Sequence, residues 1–315
     1  MGTGVTPGLV AVVGPTATGK SDLGLEIALA LGGEVVNADA MQLYRGMDIG
    51  TAKLTPAERR GVPHHQLDVL DVTESASVAA YQREARAVVE RLRAAGRTPV
   101  LVGGSGLYVQ AVLDEMEFPG TDPDLRAELQ DELDRLGPGV LHRRLAEVDP
   151  AAAAEVLPSN GRRIVRALEV IALTGRPFRA TLPTTGTPRY DAVLLGVDRG
   201  VDELDERVAR RVDRMLDDGL VDETRGLLPA GLARGRTASR ALGYRQVLEA
   251  FERSGPELGP DERERVRAET VQATRRFVRR QRSWFRRDRR IHWIDGSGPD
   301  PAADALSVLA RRLVS

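Results

Sequence analysis

The chain has 315 residues, with 45 Lys and Arg against 46 Asp and Glu and a net charge of −1. That length allows two domains and a core that needs no covalent staples, and the near-neutral balance does not by itself announce a nucleic-acid partner. The chain has no cysteine, which excludes disulfides, a thiolate zinc site and a catalytic thiol.

No charged N-terminal region leads into a long apolar run, and Leu9 to Val13 is far too short to span a bilayer. The expectation is a soluble, cytoplasmic protein. Nearly every basic residue is arginine, and the only lysines are Lys20 and Lys53. A lysine kept among arginines points to a need for a compact ammonium rather than a planar fork. The four histidines, His64, His65, His142 and His292, suggest no third ligand by spacing and read as polar or capping residues.

Leu9 to Val13 reads as a short buried strand. Gly14-Pro15-Thr16-Ala17-Thr18-Gly19-Lys20-Ser21 follows and matches G-x-x-x-x-G-K-[ST] in full. Asp22 to Leu31 then has helical periodicity, with Leu23, Ile27 and Ala30 spaced for one face. Strand, glycine loop and helix together are the context of a P-loop. Gly14 and Gly19 let the backbone turn so that several N–H groups point inward, forming an anion cradle with the helix N-terminus. Lys20 adds a point charge for the terminal phosphates, and the Ser21 hydroxyl can hold Mg²⁺ against their oxygens. The motif is specific for a polyphosphate and says little about what is done with it.

A second strand, Glu34 to Ala38, ends in Asp39. A parallel sheet would bring that residue to the ligand crevice at its carboxyl edge, although a turn-capping aspartate fits the position equally well. A third strand, Pro99 to Val102, runs into Gly103-Gly104-Ser105-Gly106, where a nucleotide hydrolase would often carry an acid. The glycines allow close approach of backbone to a ligand, Ser105 offers a hydroxyl, and Asp39 is left as the obvious carboxylate.

The texture changes at Phe118 to Asp124, where Pro119, Gly120 and Pro123 mark a boundary. From Leu125 to Thr174 the apolar residues recur at helical spacing, with breaks at Gly137-Pro138-Gly139 and Pro158, and a loop from Thr181 to Pro188 closes the stretch. Asp191 to Val197 reads as a returning strand, and Val201 to about Asp218 as a long helix with Arg207 and Arg211 on one face. The rest is helical to about Arg289, with a short strand-like run from Ile291 to Ile294. The expected fold is α/β: a P-loop NTPase-like parallel sheet core, residues 1–117 and 191–315, with an all-helical insertion domain at 118–190.

Arg275, Arg276, Arg279, Arg280, Arg282, Arg286, Arg287, Arg289 and Arg290 crowd one helical segment, interleaved with Phe277, Trp284 and Phe285. Asp288 is the only local carboxylate. Unpaired like charges in a row repel and make sense if a polyanion neutralises them. Arg162, Arg163 and Arg166 form a second small basic face.

Several ordered motifs carry a family resemblance. Asp39-Ala40-Met41-Gln42-Leu43-Tyr44-Arg45-Gly46-Met47-Asp48-Ile49-Gly50-Thr51-Ala52-Lys53 resembles the signature that follows the P-loop in tRNA dimethylallyltransferases. The P-loop itself is similar to that family's form, as is Leu101-Val102-Gly103-Gly104-Ser105-Gly106-Leu107-Tyr108, where many relatives carry threonine in place of Ser105 and keep the hydroxyl. The likeness continues through Arg166-Ala167-Leu168-Glu169-Val170, Arg240-Ala241-Leu242-Gly243-Tyr244-Arg245 and Arg279-Arg280-Gln281-Arg282-Ser283-Trp284-Phe285-Arg286. It spans nearly the whole chain and is that of the bacterial form, without the eukaryotic C-terminal zinc finger.

The resemblance implies transfer of a dimethylallyl group from dimethylallyl diphosphate to the exocyclic amine (N6) of the adenosine 3′-adjacent to the anticodon, with diphosphate released. Gly14, Pro15, Thr16, Ala17, Thr18, Gly19, Lys20 and Ser21 would hold the diphosphate, with Mg²⁺ at Ser21. Asp39 would take the proton from the amine. Thr16 and Arg211 would assist at the leaving oxygens; the residues alone do not separate Arg207 from Arg211, and the family favours Arg211. Asp39, Ala40, Met41, Gln42 and Ser105 would line a channel for a flipped base. Arg126, Arg162, Arg163, Arg166, Arg240, Gly243, Tyr244, Arg245, Arg279, Arg280, Gln281, Arg282, Trp284 and Arg286 would hold the anticodon stem-loop, with Tyr244 and Trp284 as stacking candidates and core packing the leading role for Trp284. The family suggests a monomer without an obligate protein partner or membrane. Adenylate isopentenyltransferase is the nearest rival and would need neither the arginine-rich helix nor the insertion. A small-molecule kinase would consume ATP without a prenyl donor, and a non-catalytic RNA-binding module would leave Asp39 without a job.

Overall fold

The computed structural model describes residues 8–116, 118–178 and 187–314. Six strands form one sheet: β1 (Leu9–Val13), β2 (Glu34–Asn37), β3 (His64–His65), β4 (Pro99–Gly103), β5 (Ala192–Asp198) and β6 (Ile291–Asp295). Their spatial order is β3-β2-β4-β1-β5-β6, and every neighbouring pair is parallel. Residues 1–113 and 187–315 make one compact unit and 114–186 a second. Among the described residues no helix is long and apolar enough to cross a membrane.

The first unit carries α1 (Lys20–Leu31), α2 (Val78–Ala94) and α3 (Gly106–Leu113). The second unit is wholly helical: α4 (Pro123–Leu136), α5 (Pro138–Val148), α6 (Pro150–Glu155) and α7 (Gly161–Thr174). The chain then returns to the first unit with α8 (Val201–Asp217), α9 (Leu220–Gly226), α10 (Tyr244–Ser254), α11 (Pro260–Phe285) and α12 (Pro301–Val314).

The sheet is a filled layer between helices. The two-residue pleat sends Leu9, Ala11 and Val13 of β1 into a core with Tyr81, Ala85 and Val89 of α2 and Val109 and Val112 of α3. It sends Val10 and Val12 to the opposite face, against Leu23 and Ile27 of α1 and Ala305 and Leu309 of α12. Strands buried on both faces lose the polar alternation of a half-exposed strand, which is why LVAVV and PVLVG are apolar throughout.

The insertion starts its helices by local chemistry. Asp122, Asp149 and Asn160 accept backbone N–H bonds at the N-termini of α4, α6 and α7, and proline begins α4, α5 and α6. Its own core gathers Leu129, Leu141, Leu145, Ile164, Val165 and Leu168.

Three details differ from the expected elements. The edge strand β3 is two residues long and carries no periodicity to read. The arginine-rich helix stops at Phe285 rather than near Arg289. Helix α12 was not expected from the sequence, yet its apolar side completes one face of the sheet. Of the loop expected from Thr181 to Pro188, residues 181–186 lie outside the described residues.

Candidate active site

The carboxyl ends of β1, β2 and β4 open onto one cavity of about 60 Å³, lined among others by Thr16, Lys20, Ser21, Asp39, Gln42 and Arg211. Open parallel sheets bind ligands at this edge. The P-loop turns through Gly14 at φ 138° and Gly19 at φ 100°. A side chain on Gly14 would collide with the Val197 carbonyl of β5.

The loop's carbonyls are already engaged. Thr18 Oγ1 and Lys20 Nζ donate to Pro15 O at 2.9 and 2.7 Å. Arg207 Nε donates to Ala17 O at 2.7 Å and Arg199 Nε to Thr18 O at 3.0 Å. The first turn of α1 supplies orphan N–H groups for an anion. Two of the eight expected diphosphate contacts need correction at the backbone. Pro15 has no N–H and serves as an acceptor, and the Thr16 N–H donates to Gln281 Oε1 at 2.9 Å. Thr16 can therefore offer the cavity its hydroxyl but not its amide.

Asp39 is held in one orientation. Its Oδ1 accepts from Met41 N at 3.0 Å, an Asx turn. The Asn37 amide brackets its backbone, accepting from Asp39 N at 2.9 Å and donating to Asp39 O at 3.0 Å. Tyr81 and Gln66 anchor Asn37 in turn. Asp39 Oδ2 has no hydrogen-bond partner among the described residues.

Burial dominates the cations opposite. Burial pushes the Lys20 ammonium down to about 8, Arg211 pushes in the same direction, and Asp39 opposes both. Burial also lowers Arg211, and Asp39 again opposes. Arg211 shares the cavity with Asp39, whereas Arg207 does not line it. The structure thus separates two arginines that the sequence left equivalent.

The segment after Asp39 is a scaffold for these groups. Lys53, the second lysine, is buried and donates to Asp48 and Asp68, both at 2.6 Å, and to Tyr44 O at 2.9 Å. Three acceptors around one point fit an ammonium better than a guanidinium fork. The Thr51 carbonyl accepts from Gln42 Nε2 at 3.1 Å and Arg211 Nη2 at 3.4 Å. Ala40 N donates to Ser105 Oγ at 3.1 Å. Glu223 of α9 collects the amides of Asp48, Ile49 and Gly50. Asn37 and Glu223 were missed from sequence. Asn37 could have been noticed two residues before Asp39, but nothing local marks Glu223.

Helix α11 reaches this site through its buried face. Gln281 bonds Thr16 N and donates to Gly104 O at 2.9 Å, so it is an internal strut rather than an RNA contact. A Cβ on Gly104 would lie 2.5 Å from Gln281 Nε2, and one on Gly106 would collide with the Trp284 ring. These glycines make room for the helix, and Gly104 also lines the cavity. Trp284 covers Gly106 and stays 40 % exposed.

The arginines of α11 are less lonely than expected. Asp205 of α8 pairs with Arg275 and Arg279, and Asp198 at the end of β5 pairs with Arg282 and Arg286 at 3.0 Å. Asp288 pairs with Arg290. Asp288 is the only local carboxylate, but the expectation that the other arginines are unpaired failed because Asp198 and Asp205 come from distant sequence. Arg276, Arg280, Arg287 and Arg289 remain exposed without a carboxylate partner among the described residues, so excess positive charge persists.

Residues 42–288 match the model of the family described as IPP transferase. The chain belongs to the IPP transferase family. It is 65% identical over 306 residues to the tRNA dimethylallyltransferase of Saccharopolyspora erythraea, covering 97% of each chain. It is 63% identical over 294 residues to that of Streptomyces avermitilis, covering 93% of this chain and 92% of the relative. Among solved structures it resembles the tRNA isopentenylpyrophosphate transferase of Bacillus halodurans, with 38% identity, a TM-score of 0.70, and coverage of 97% and 96%. A eukaryotic dimethylallyltransferase acting on tRNA is similar at 25% identity and a TM-score of 0.79, over 95% of this chain and 77% of that one. The family-model match begins at Gln42, and the high-identity relatives extend the likeness over nearly the full chain.

Other residues singled out by likeness to this transferase family divide between surface and interior. Arg240 and Arg245 are exposed, and Arg245 pairs with Glu249. Tyr244 is fully buried, donates to Glu223 and accepts from Gly50 N at 3.2 Å. It cannot serve as a stacking platform. Gly243 is buried with φ 87°, and its N–H donates to Gln246. In the insertion, Arg162 and Arg163 are exposed, while Arg126 and Arg166 converge on Glu169 at 2.6 and 2.8 Å. Glu169 is fully buried; burial raises it, but bonds from Arg126 and Arg166 prevail and hold it below the usual carboxylate range. Arg166 also donates to Pro119 O and Gly120 O, which fixes the segment leading into α4.

Proposed function

We propose that this chain is a tRNA dimethylallyltransferase: it transfers a dimethylallyl group from dimethylallyl diphosphate to N6 of the adenosine 3′-adjacent to the anticodon and releases diphosphate. One observation carries the chemical reading. Lys20 of the P-loop, Arg211 of α8 and the carboxylate of Asp39 line the same cavity, so a diphosphate leaving group and a proton acceptor can act on one reaction centre.

An adenine amine is a weak nucleophile because its lone pair is delocalised. Asp39 Oδ2 accepts a proton from it as the N6–C1 bond forms and the allylic C1–O bond breaks. The bonding electrons leave with the diphosphate, where Lys20, the Thr16 hydroxyl and Arg211 stabilise the developing charge. Gly14, Ala17, Thr18, Gly19 and Ser21 shape and line the diphosphate cradle. The Ser21 hydroxyl in the same cavity fits Mg²⁺, which takes few protein ligands beside substrate oxygens and water. When bound, Mg²⁺ neutralises diphosphate charge.

A stacked base cannot reach Asp39, so the adenosine enters flipped, beside Ala40, Met41, Gln42 and Ser105. Exposed cations supply the backbone contacts: Arg279, Arg280 and Arg286 on α11 and its end, Arg240 and Arg245, and Arg162 and Arg163 of the insertion. The enzyme works as a soluble cytoplasmic monomer in this reading.

The test is single-turnover transfer of labelled dimethylallyl diphosphate with Mg²⁺ to unmodified tRNA, with AMP and ATP as competing acceptors. Label in tRNA alone is expected. Label in AMP would favour a free-nucleotide acceptor, and label in neither would return the P-loop to the kinases.

A further inference from the structure

Helix α8 carries a ladder of positive charge that the proposed chemistry does not use in full. Arg207, Arg210, Arg211 and Arg214 stand at spacings of three and four, hence on one face. Together with Lys20 they line a second cleft, of about 360 Å³, beside the P-loop. That size is in the range of small-ligand sites, roughly 300–1,000 Å³. The cleft shares Lys20, Ser21 and Arg211 with the Asp39 cavity, so both open on the diphosphate cradle.

The charges in this cleft are poorly compensated. Asp22 is its one lining carboxylate. Arg210 reaches Glu206 at 3.4 Å, an exposed pair that contributes little. Arg214 is exposed and has no carboxylate partner among the described residues. Arg207 is tied to the P-loop carbonyl of Ala17, at the boundary between loop and cleft. Like charges on one helix face repel, and a mobile anion among them removes the repulsion.

We propose that Arg210 and Arg214, with Arg207 at the threshold, form an outer diphosphate site through which a diphosphate group passes between solvent and the P-loop. The group is that of the arriving donor or of the departing product. The site is concave and ends on the P-loop, which favours a small polyanion over the phosphate backbone of an RNA. The inference rests on the P-loop binding diphosphate, as in the proposed function.

The experiment compares wild-type protein with R210Q/R214Q and with R214Q alone. Both side chains are exposed, so the variants should fold. Calorimetric binding of inorganic diphosphate needs neither tRNA nor transfer. The expected result is a Kd weakened on the order of fivefold at low salt, with a shallower salt dependence. In the transfer assay, a matching fall in kcat/KM for the donor assigns the site to arrival. Slower steady-state turnover relative to single turnover assigns it to release. An unchanged diphosphate Kd overturns the proposal, and a weakened tRNA Kd beside it would make these arginines an RNA contact. Wild-type protein that binds no diphosphate would instead sink the P-loop reading itself.

Discussion

Gln281 accepts a hydrogen bond from the amide of Thr16 at 2.9 Å, across 265 residues of chain. Its other amide atom donates to Gly104 O at 2.9 Å. One side chain on the arginine-rich helix therefore fixes the P-loop and the loop after β4 at the same time.

Gln281→Leu should leave a buried carbonyl, Gly104 O, and a part-buried amide, Thr16 N–H, without partners. Each unsatisfied group costs about 1–3 kcal/mol, so the loss should be visible in denaturant unfolding. KM for the donor should rise with it, because the cradle loses its strut. Normal stability with unchanged KM would show that the strut is dispensable.

Asp39→Ala removes the proposed proton acceptor. Transfer should fall by roughly 10²–10⁴-fold, while binding of tRNA and of inorganic diphosphate is retained. A variant that transfers at the wild-type rate would take Asp39 out of the mechanism.

Donor binding should depend on pH through Lys20. Burial and Arg211 bring this ammonium down to about 8. Below that pH the free protein already holds the charge that pairs with diphosphate. Above it, binding must first take up a proton, so Kd should weaken by up to tenfold per pH unit. Titrating the Kd of dimethylallyl diphosphate from pH 6.5 to 9.5 checks this; a flat profile would mean that Lys20 stays charged throughout.

Tyr244→Phe should cost about 1.5–3 kcal/mol in unfolding free energy, the range for a hydrogen bond to a charged group, since the phenol donates to Glu223 in the interior. The tRNA Kd should hardly change. A large loss of RNA affinity in a stably folded variant would restore Tyr244 as a contact.

Asp198→Asn should free Arg282 and Arg286 from their shared carboxylate. RNA binding should become tighter at low salt and fall more steeply with salt, as more phosphates are neutralised. Filter binding at several salt concentrations measures the slope, and an unchanged slope would mean that these arginines face no phosphate.

The P-loop, Asp39 and the strand framework were legible because each is a local pattern. An apolar run of five, glycines at two turns and a lysine beside a hydroxyl specify strand, loop and helix start without help from elsewhere. The helices of the insertion were legible for the same reason: apolar residues at helical spacing between glycine and proline breaks. Helix α12 carried a comparable signal that went unread, Asp300 capping a helix that starts at Pro301; the two-residue β3 carried none, and its place comes from the sheet it completes.

The amino-acid sequence by itself determined the glycine loop between strand and helix, the α/β class and the family motifs, because turns, caps and periodicity act over a few residues. Only the tertiary structure decided which polar side chains face a ligand and which face one another. Gln281, Tyr244, Arg282 and Arg166 all sit in motifs that suggest contact with RNA, and each is bonded inside the protein to a partner from distant sequence. Arg207 and Arg211 share a helix face, yet only Arg211 reaches the cavity of Asp39. Charge and hydrogen bonding act through space, and the spatial neighbours of a side chain are chosen by how the elements pack.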